Sequence, residues 1–453
     1  MQARKRTCSD QSLWTIVHRH VVRRRFVMLT TCLIVVLFFR KAPSLDETTV
    51  TQTTRERLRL KHILYFTPYW GKNDFQFGLG RQPFVDYQCP ETRCFAHAPN
   101  LPTHRVTNKS QFDAVLISAR KNDFELAKHV EDIEGWRQPH QRFVFVMMES
   151  QAYPIDQLDE MHSFFNWTMT FKWNSDIPRP YGWFQDLNQP SAYATGPPET
   201  WIPFQKQQFL SGLPTRDESF HAMAKRPGKV AWIVSHCDTD SRREDYVHKL
   251  KEYISVDIFG GHCGKGPSCD IPYSISSVDN CTRYVQEHYK FYLAFENQFC
   301  NEYVTEKFFR RMDHSVVIVL GQANYSQIAP PHSYINVMDY DSPEALADYL
   351  HHLDENDDEY LSYFWWKDHY RVYHPYNSGG LNNFGKSMCQ LCAKLHDEKE
   401  PAKTYTNMHE WWRDEAQCGK QLPGLKMRMS SSGKFGGGGV KPIRFKQNIP
   451  HHG

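Results

Sequence analysis

Net charge is what this sequence has little of. Lys and Arg number 54 against 51 Asp and Glu, leaving +3 over 453 residues. That excess is too small for a nucleic-acid surface, and it sits at the two ends of the chain, where it reads as tails and not as a binding stripe. Apolar length is also scarce. The run from Phe26 to Phe39 would make a helix of about 21 Å, against a hydrocarbon core of about 30 Å. Finally, no second cysteine pair at zinc spacing accompanies Cys389-Gln-Leu-Cys392, and no strand leads into it. A zinc site and a thioredoxin-like redox pair therefore both give way to structural disulfides.

What is present begins with bulk. A hydrophobic content of 40% with 14% aromatics supplies packed cores, and the length exceeds what one core supports, so two domains with appendages are expected. Arg4, Lys5, Arg6, Arg19, Arg23, Arg24 and Arg25 precede the apolar run, whereas only Arg40 and Lys41 follow it closely. That asymmetry puts the N-terminus in the cytosol and the body in the lumen. Snorkelling arginines and a thin Golgi bilayer let so short a run serve as a signal-anchor. Ala42-Pro43-Ser44 would suit a cleaved signal peptide, but the long polar N-terminal region and Arg40-Lys41 favour the anchor. Of 12 cysteines, all but Cys8 and Cys32 lie beyond it, as an oxidising compartment permits. Sequons at Asn108, Asn166, Asn280 and Asn324 offer N-glycosylation sites in such a body.

The expected organisation is a cytoplasmic tail (1–25), a transmembrane signal-anchor (26–41) and a stem (42–60). An N-terminal domain (61–220), a C-terminal domain (221–395) and a basic Gly-rich tail (396–453) follow, the tail being acid-free from Gly419 and expected to be disordered. Strands are read at Ile63–Phe66, Ala114–Ser118 and Phe143–Met148. The Pro-rich stretch from Ser191 to Gly228 reads as an irregular interdomain linker. Beyond it, strands at Val230–Ser235, Val256–Gly260, Phe291–Phe295 and Val316–Leu320 alternate with helices at Arg243–Tyr253, Val304–Met312 and Pro343–Leu353. Such alternation implies an α/β fold with parallel sheets covered on both faces and ligands in a cleft between two units.

The densest motif is Tyr289-Lys-Phe-Tyr-Leu-Ala-Phe-Glu-Asn297, then Tyr303-Val-Thr-Glu-Lys-Phe-Phe309, then Val316-Val-Ile-Val-Leu-Gly321. This closely resembles the signature of the α1,3-fucosyltransferases, glycosyltransferase family 10. The likeness extends to Val230–Ser235 with Arg243, to Tyr360–Trp365 and the Cys-x-x-Cys, and more loosely to Arg142–Ser150 and Ser175–Gly182. It spans roughly residues 62–395. The resemblance implies a GT-B-like fold of two Rossmann-type domains facing a cleft. The N-terminal domain would bind the acceptor and the C-terminal domain GDP-fucose. It also implies pairing of the early cysteines, Cys89 and Cys94, with Cys389 and Cys392. Cys263 and Cys269 could pair locally across a Gly-rich loop.

The residues support that chemistry independently. Releasing GDP places negative charge on a diphosphate oxygen, which cations and helix-start amides stabilise. Thr305-Glu306-Lys307 stands at a strand-to-helix turn, where Lys307 supplies a point charge. Arg243 can grip phosphate bidentately, and Glu306 can accept ribose hydroxyls. Read alone, the turn fits a capped helix with a solvated Glu-Lys pair better than a binding site. Within the long motif the site reading prevails, and the resemblance places Tyr303, Glu306, Lys307 and Arg243 around GDP-fucose. Glu296 and Asn297 end a buried strand, where unpaired polar groups would be costly, so they join the donor set. Glu149 ends an apolar strand of the first domain and is the candidate general base, its pKa raised by partial burial. The matching family position carries the proposed base of an inverting single displacement.

Departures from the family pattern are Ser235-His236, Phe171-Lys172-Trp173-Asn174 and Ala119-Arg120-Lys121. They bear on acceptor choice and rate more than on donor binding. Asp238-Thr-Asp240 reads as a surface turn, and His351-His352 as solvated. GDP-fucose is the expected donor substrate with no required cofactor; stimulation by Mn²⁺ or Mg²⁺ is compatible with this, but no bound ion is expected. Partners are an N-glycan acceptor and the Golgi membrane. Cys89-Pro-Glu-Thr-Arg-Cys94 and Cys300–Phe309 look most like enzymes acting on the innermost GlcNAc of N-glycans. A Lewis-type transferase acting on N-acetyllactosamine is the alternative, as is an inactive luminal GDP-fucose or glycan-binding protein.

Overall fold

Two parallel five-stranded sheets organise the chain in a computed structural model that describes residues 59–98, 108–121, 133, 135–155, 158–188, 200–260, 275–374 and 383–419. The first sheet comprises β1 (Lys61–Tyr65), β2 (Cys94–His97), β3 (Ala114–Ser118), β4 (Arg142–Met147) and β5 (Trp167–Thr170), in the order β2-β1-β3-β4-β5. After β6 (Trp183–Asp186) the second sheet comprises β7 (Gly228–Ile233), β8 (Val256–Phe259), β9 (Tyr289–Phe295), β10 (Val316–Leu320) and β11 (Tyr334–Asn336), in the order β11-β10-β9-β7-β8. β12 (Tyr370–Tyr373) returns antiparallel to β6.

The two orders are the same when each is read from its own first strand. In both sheets the direction of winding reverses between the first and third strands, β1 and β3 in one and β7 and β9 in the other. A crevice opens at the carboxyl ends of the strands at such a reversal. The strands are mostly apolar, and β3, β5, β9 and β10 are buried along their whole length. That is the composition a sheet covered on both faces requires.

Each expected strand coincides with an observed one to within about two residues. The expected helix at Val304–Met312 is only Glu306–Phe309, while those at Arg243 and Pro343 are confirmed as Arg243–Leu250 and Pro343–Glu355. The irregular linker is corrected too. It holds short helices at Lys206–Gly212 and Glu218–Ala222, and Phe209, Leu213 and Met223 are buried in the second core. Prolines in this stretch mask a local apolar pattern that pays for ordering it.

The expected C-terminal tail is corrected in its first part. The helix Asn383–Leu395 and the stretch that follows run back to the first sheet, adding Met388, Leu391, Tyr405, Met408, Trp411 and Trp412 to its core. Cys89 is bonded to Cys389 and Cys94 to Cys392, at sequence separations of 300 and 298. Closing a loop of that size removes roughly 5 kcal/mol of unfolded-chain entropy, and the second bond adds less because the loop is already closed. A further disulfide joins Cys300 to Cys418, and Cys237 and Cys281 are each disulfide-bonded as well. The anchor Phe26–Phe39, Cys263, Cys269 and the Gly-rich tail beyond Gly419 lie outside the described residues. Among the described residues no helix is long and apolar enough to cross a membrane.

One sequon is also corrected. Asn166 is buried at 8% exposure. Its Oδ1 accepts from the Phe143 N–H at 2.9 Å and Arg137 Nη2 at 3.0 Å, and its Nδ2 donates to Lys403 O at 3.0 Å. A glycan on Nδ2 would break the last bond and unseat residue 403. Asn324 is exposed, and the exposed Asn108 uses its Oδ1 to cap the turn at Ser110. Glycopeptide mapping of the chain expressed through a secretory pathway is expected to find Asn166 unmodified while Asn324 carries glycan. Full occupancy at Asn166 would contradict the packing described.

Candidate functional site

The site is built at the carboxyl ends of the two sheets, beginning with the reversal between β7 and β9. Arg243 opens the helix after β7 and is buried, with its guanidinium over the Trp232 ring. Its Nη1 donates to Phe295 O, at the end of β9, and its Nη2 to His236 O at 3.0 Å, just past β7. The side chain therefore bridges the crevice. This differs from the expected bidentate phosphate grip, because in this conformation two of its donors are spent on strand ends. Burial draws its pKa down, with Glu296 and Glu244 opposing the shift.

Glu296 follows directly and is completely buried. Its carboxylate accepts from Thr305 N–H at 2.8 Å, Thr305 Oγ1 at 3.0 Å and Lys307 Nζ at 3.1 Å. Lys307 Nζ also donates to Thr305 Oγ1 at 2.7 Å and lies 3.6 Å from Glu306. Burial works against its charge, yet Glu296 and Glu306 hold the ammonium above the usual lysine range. Helix-start amides were expected to be free here. The Thr305 amide is instead taken by Glu296, and Thr305 Oγ1 accepts from the Lys307 amide, capping the four-residue helix. Tyr303 is buried with its hydroxyl 3.5 Å from Asn297 Oδ1. Burial first, then the carboxylates of Glu296, Glu149 and Glu306, keep its phenol un-ionised.

The first sheet contributes Glu149, just past β4 and only partly exposed. Burial raises its pKa; the Arg120 charge and Lys307 lower it, while Glu306 raises it. Arg120 Nε is 3.5 Å from Glu149 Oε1. The structure thus brings Glu149 within electrostatic range of Lys307 and Glu306, although they come from different sheets. Gly182 permits that approach, since a Cβ there would lie 2.2 Å from Cγ of Phe309, two residues beyond Lys307.

Tyr181 had no role in the sequence reading. Its hydroxyl donates to Met148 O beside Glu149, and its ring meets Tyr303 edge-on at 6.5 Å. Only its place before Gly182 in a loosely matched block marked it. Arg120, read as a departure, stacks on the half-exposed Trp70 at 3.9 Å and sets the environment of Glu149. Lys172, another departure, is buried and holds the C-terminal segment through Trp411 O and Glu415. His236 is exposed at the lip. Asp238 and Asp240 lie exposed in a turn, with Asp240 accepting from Gln298. Among the described residues the one cluster with metal-ligand spacing, Cys94, Cys392 and His396, has both sulfurs joined in a disulfide.

Comparison with known proteins bears on this geometry. Residues 223–411 match the C-terminal model of glycosyltransferase family 10 (fucosyltransferase), and residues 58–182 match a fucosyltransferase N-terminal model. The chain is similar to α-(1,3)-fucosyltransferase C of Drosophila melanogaster, at 32% identity over 85% of this chain and 87% of that protein. It is also similar to glycoprotein 3-α-L-fucosyltransferase A of the same organism, at 35% identity over 80% of this chain and 62% of that protein. A crystal structure of an α1,3-fucosyltransferase with GDP-fucose aligns over 76% of this chain and 92% of its own, with 18% identity and a TM-score of 0.43.

Removing the Glu296 carboxylate strands the Lys307 ammonium and two Thr305 donors. Glu296→Ala is expected to lower unfolding free energy by about 3 kcal/mol in urea titration. A loss below about 1 kcal/mol would mean the turn does not depend on this carboxylate.

Proposed function

The chain belongs to glycosyltransferase family 10, and on that premise we propose that it transfers L-fucose from GDP-fucose in α1,3 linkage to a GlcNAc of N-glycans. The observation that carries the reading is the approach of the first sheet's Glu149 to the Lys307–Glu306 turn of the second through Tyr181, whose hydroxyl donates to Met148 O and whose ring meets Tyr303. One side of the cleft then has a base and the other a cation, which is what a single inverting displacement needs.

In this reading Glu149 takes the proton from the acceptor hydroxyl as its oxygen bonds to the anomeric carbon of fucose. The bond from that carbon to the β-phosphate oxygen breaks, and GDP leaves with the electron pair. The Lys307 ammonium, already oriented by Glu296, stabilises the charge that develops on the diphosphate without first having to be positioned. Arg243 fixes the spacing of the strand ends between which the nucleotide would lie, and Glu306, Asn297 and Tyr303 line the same turn.

The innermost GlcNAc of the N-glycan is the favoured acceptor. It is supported by the likeness at Cys89–Cys94 and Cys300–Phe309, and one relative is by name a glycoprotein 3-α-L-fucosyltransferase. Residence in the Golgi membrane as a type II protein with a luminal body accords with the apolar run at Phe26–Phe39, the arginines before it and the disulfides.

Incubation with GDP-fucose and two acceptor sets, core-exposed N-glycans and N-acetyllactosamine oligosaccharides, is expected to add deoxyhexose to the first by mass spectrometry. Glu149→Gln is expected to reduce transfer by about 10²–10⁴-fold. GDP-fucose binding without transfer to any acceptor would sink the reading. The pH profile supplies a second check. Glu149 must be ionised to act, so transfer falls as pH drops through its burial-raised pKa, above the usual carboxylate range. Arg120 lowers that pKa, so Arg120→Met is expected to move the acid limb of kcat/KM to higher pH. A limb that stays in place would dissociate Arg120 from the base.

A further inference from the structure

The turn Phe299–Tyr303, between the strand end at Glu296 and the cap at Thr305, is fastened by residues more than a hundred positions away. Cys300 is bonded to Cys418. The Asn301 N–H donates to Ala416 O at 2.8 Å, its Nδ2 donates to Glu415 O at 3.1 Å, and the Gly419 N–H donates to Phe299 O at 2.9 Å. Gln322 Nε2 ties both sides, donating to Asn301 Oδ1 at 3.0 Å and Gln417 O at 2.8 Å.

The same C-terminal residues are rooted in the other sheet. Buried Lys172 donates to Trp411 O at 2.8 Å and to Glu415 Oε2 at 2.9 Å. Trp412 is fully buried, edge-on to Phe145 at 5.4 Å and against Phe171 at 5.6 Å. Phe171 in turn meets Tyr303 edge-on at 5.2 Å. Two routes, one covalent and one aromatic, therefore run from this segment to the turn. The segment also reaches past residue 411, where the family model's match ends.

We propose that residues 411–419 are a positioning strap for the donor site: fixed to the first sheet, they hold the Phe299–Tyr303 turn so that Tyr303, Thr305 and Lys307 are set before GDP-fucose arrives. This rests on the donor reading given above. Without the strap the turn keeps its two ends but loses its middle, and nucleotide binding must then order it, which weakens affinity without altering the groups that do the chemistry. None of the strap residues touches the reacting atoms; they act through Tyr303 and the turn.

The test uses the full chain and titration calorimetry with GDP, alongside steady-state kinetics. Cys300→Ser/Cys418→Ser is expected to raise the GDP Kd and the GDP-fucose KM about tenfold. At saturating donor kcat should stay within about threefold, and acceptor KM should not move. A merely structural role would lower Tm and the active fraction, and leave both donor constants unchanged. Should the double variant not fold, Asn301→Ala, which keeps the disulfide and removes two of the bonds, is expected to raise the donor KM in the same direction and decides alone. GDP binding by the unaltered chain that persists undiminished in the variants overturns the strap only. No GDP binding by the unaltered chain overturns the donor reading and the strap with it.

Discussion

A carboxylate with no access to water governs the candidate site. Glu296 sits at the last turn of the central strand of the second sheet, where an ion without partners would cost several kcal/mol. Its partners are the amide and hydroxyl of Thr305 and the ammonium of Lys307, and satisfying the ion therefore dictates the path of the chain from 296 to 307. The same bonds cap the short helix, aim the lysine and spend the amides that might otherwise face solvent. Arg243 repeats the logic one strand over, using buried donors to fix two strand ends. The cations are thus orientated by the protein's own oxygens, which is what preorganisation asks of groups that must meet a developing charge.

Around that constraint the molecule is a pair of like-wound parallel sheets, with a tie between them made by the end of the chain. Cys389 and Cys392 fasten to Cys89 and Cys94, Trp412 fills the first core, and Cys418 fastens to the second sheet's turn. The first half does not close its core with contiguous sequence alone.

Much of this could be read from residue patterns. Runs such as Val316–Leu320 and Ala114–Ser118 are apolar, β-branched and bounded by turns, and each is a strand as read. The three-residue β11 and four-residue β2 are too short to show a period, so they were invisible. Glu296 and Glu149 stood out as charged residues that end apolar runs, and Lys307 through the strand-to-helix turn of the long motif. What these residues touch was not legible: burial turned Arg243 toward carbonyls, and the Thr305 amide toward Glu296, through contacts set by tertiary packing. Asn166 shows the same limit, since a sequon pattern carries no record of whether its amide is already bonded. Lys172 looked like a substitution at the site and proved to be an anchor for Trp411 and Glu415, positions more than two hundred residues on.

The way the chain closes on itself also sets an order of assembly. Synthesis runs from the N-terminus, so the first sheet's strands emerge before anything else in the described fold. Its core nevertheless waits for Met388, Leu391 and Trp412, and its cysteines wait for partners some 300 positions later. The second sheet, whose strands lie between Gly228 and Asn336, has most of its apolar partners to hand much sooner. The half made first is the half completed last. Until then Cys89 and Cys94, only a few residues apart, are exposed to each other and to any oxidant nearby, and the newborn chain depends on thiol exchange to keep them for the right partners.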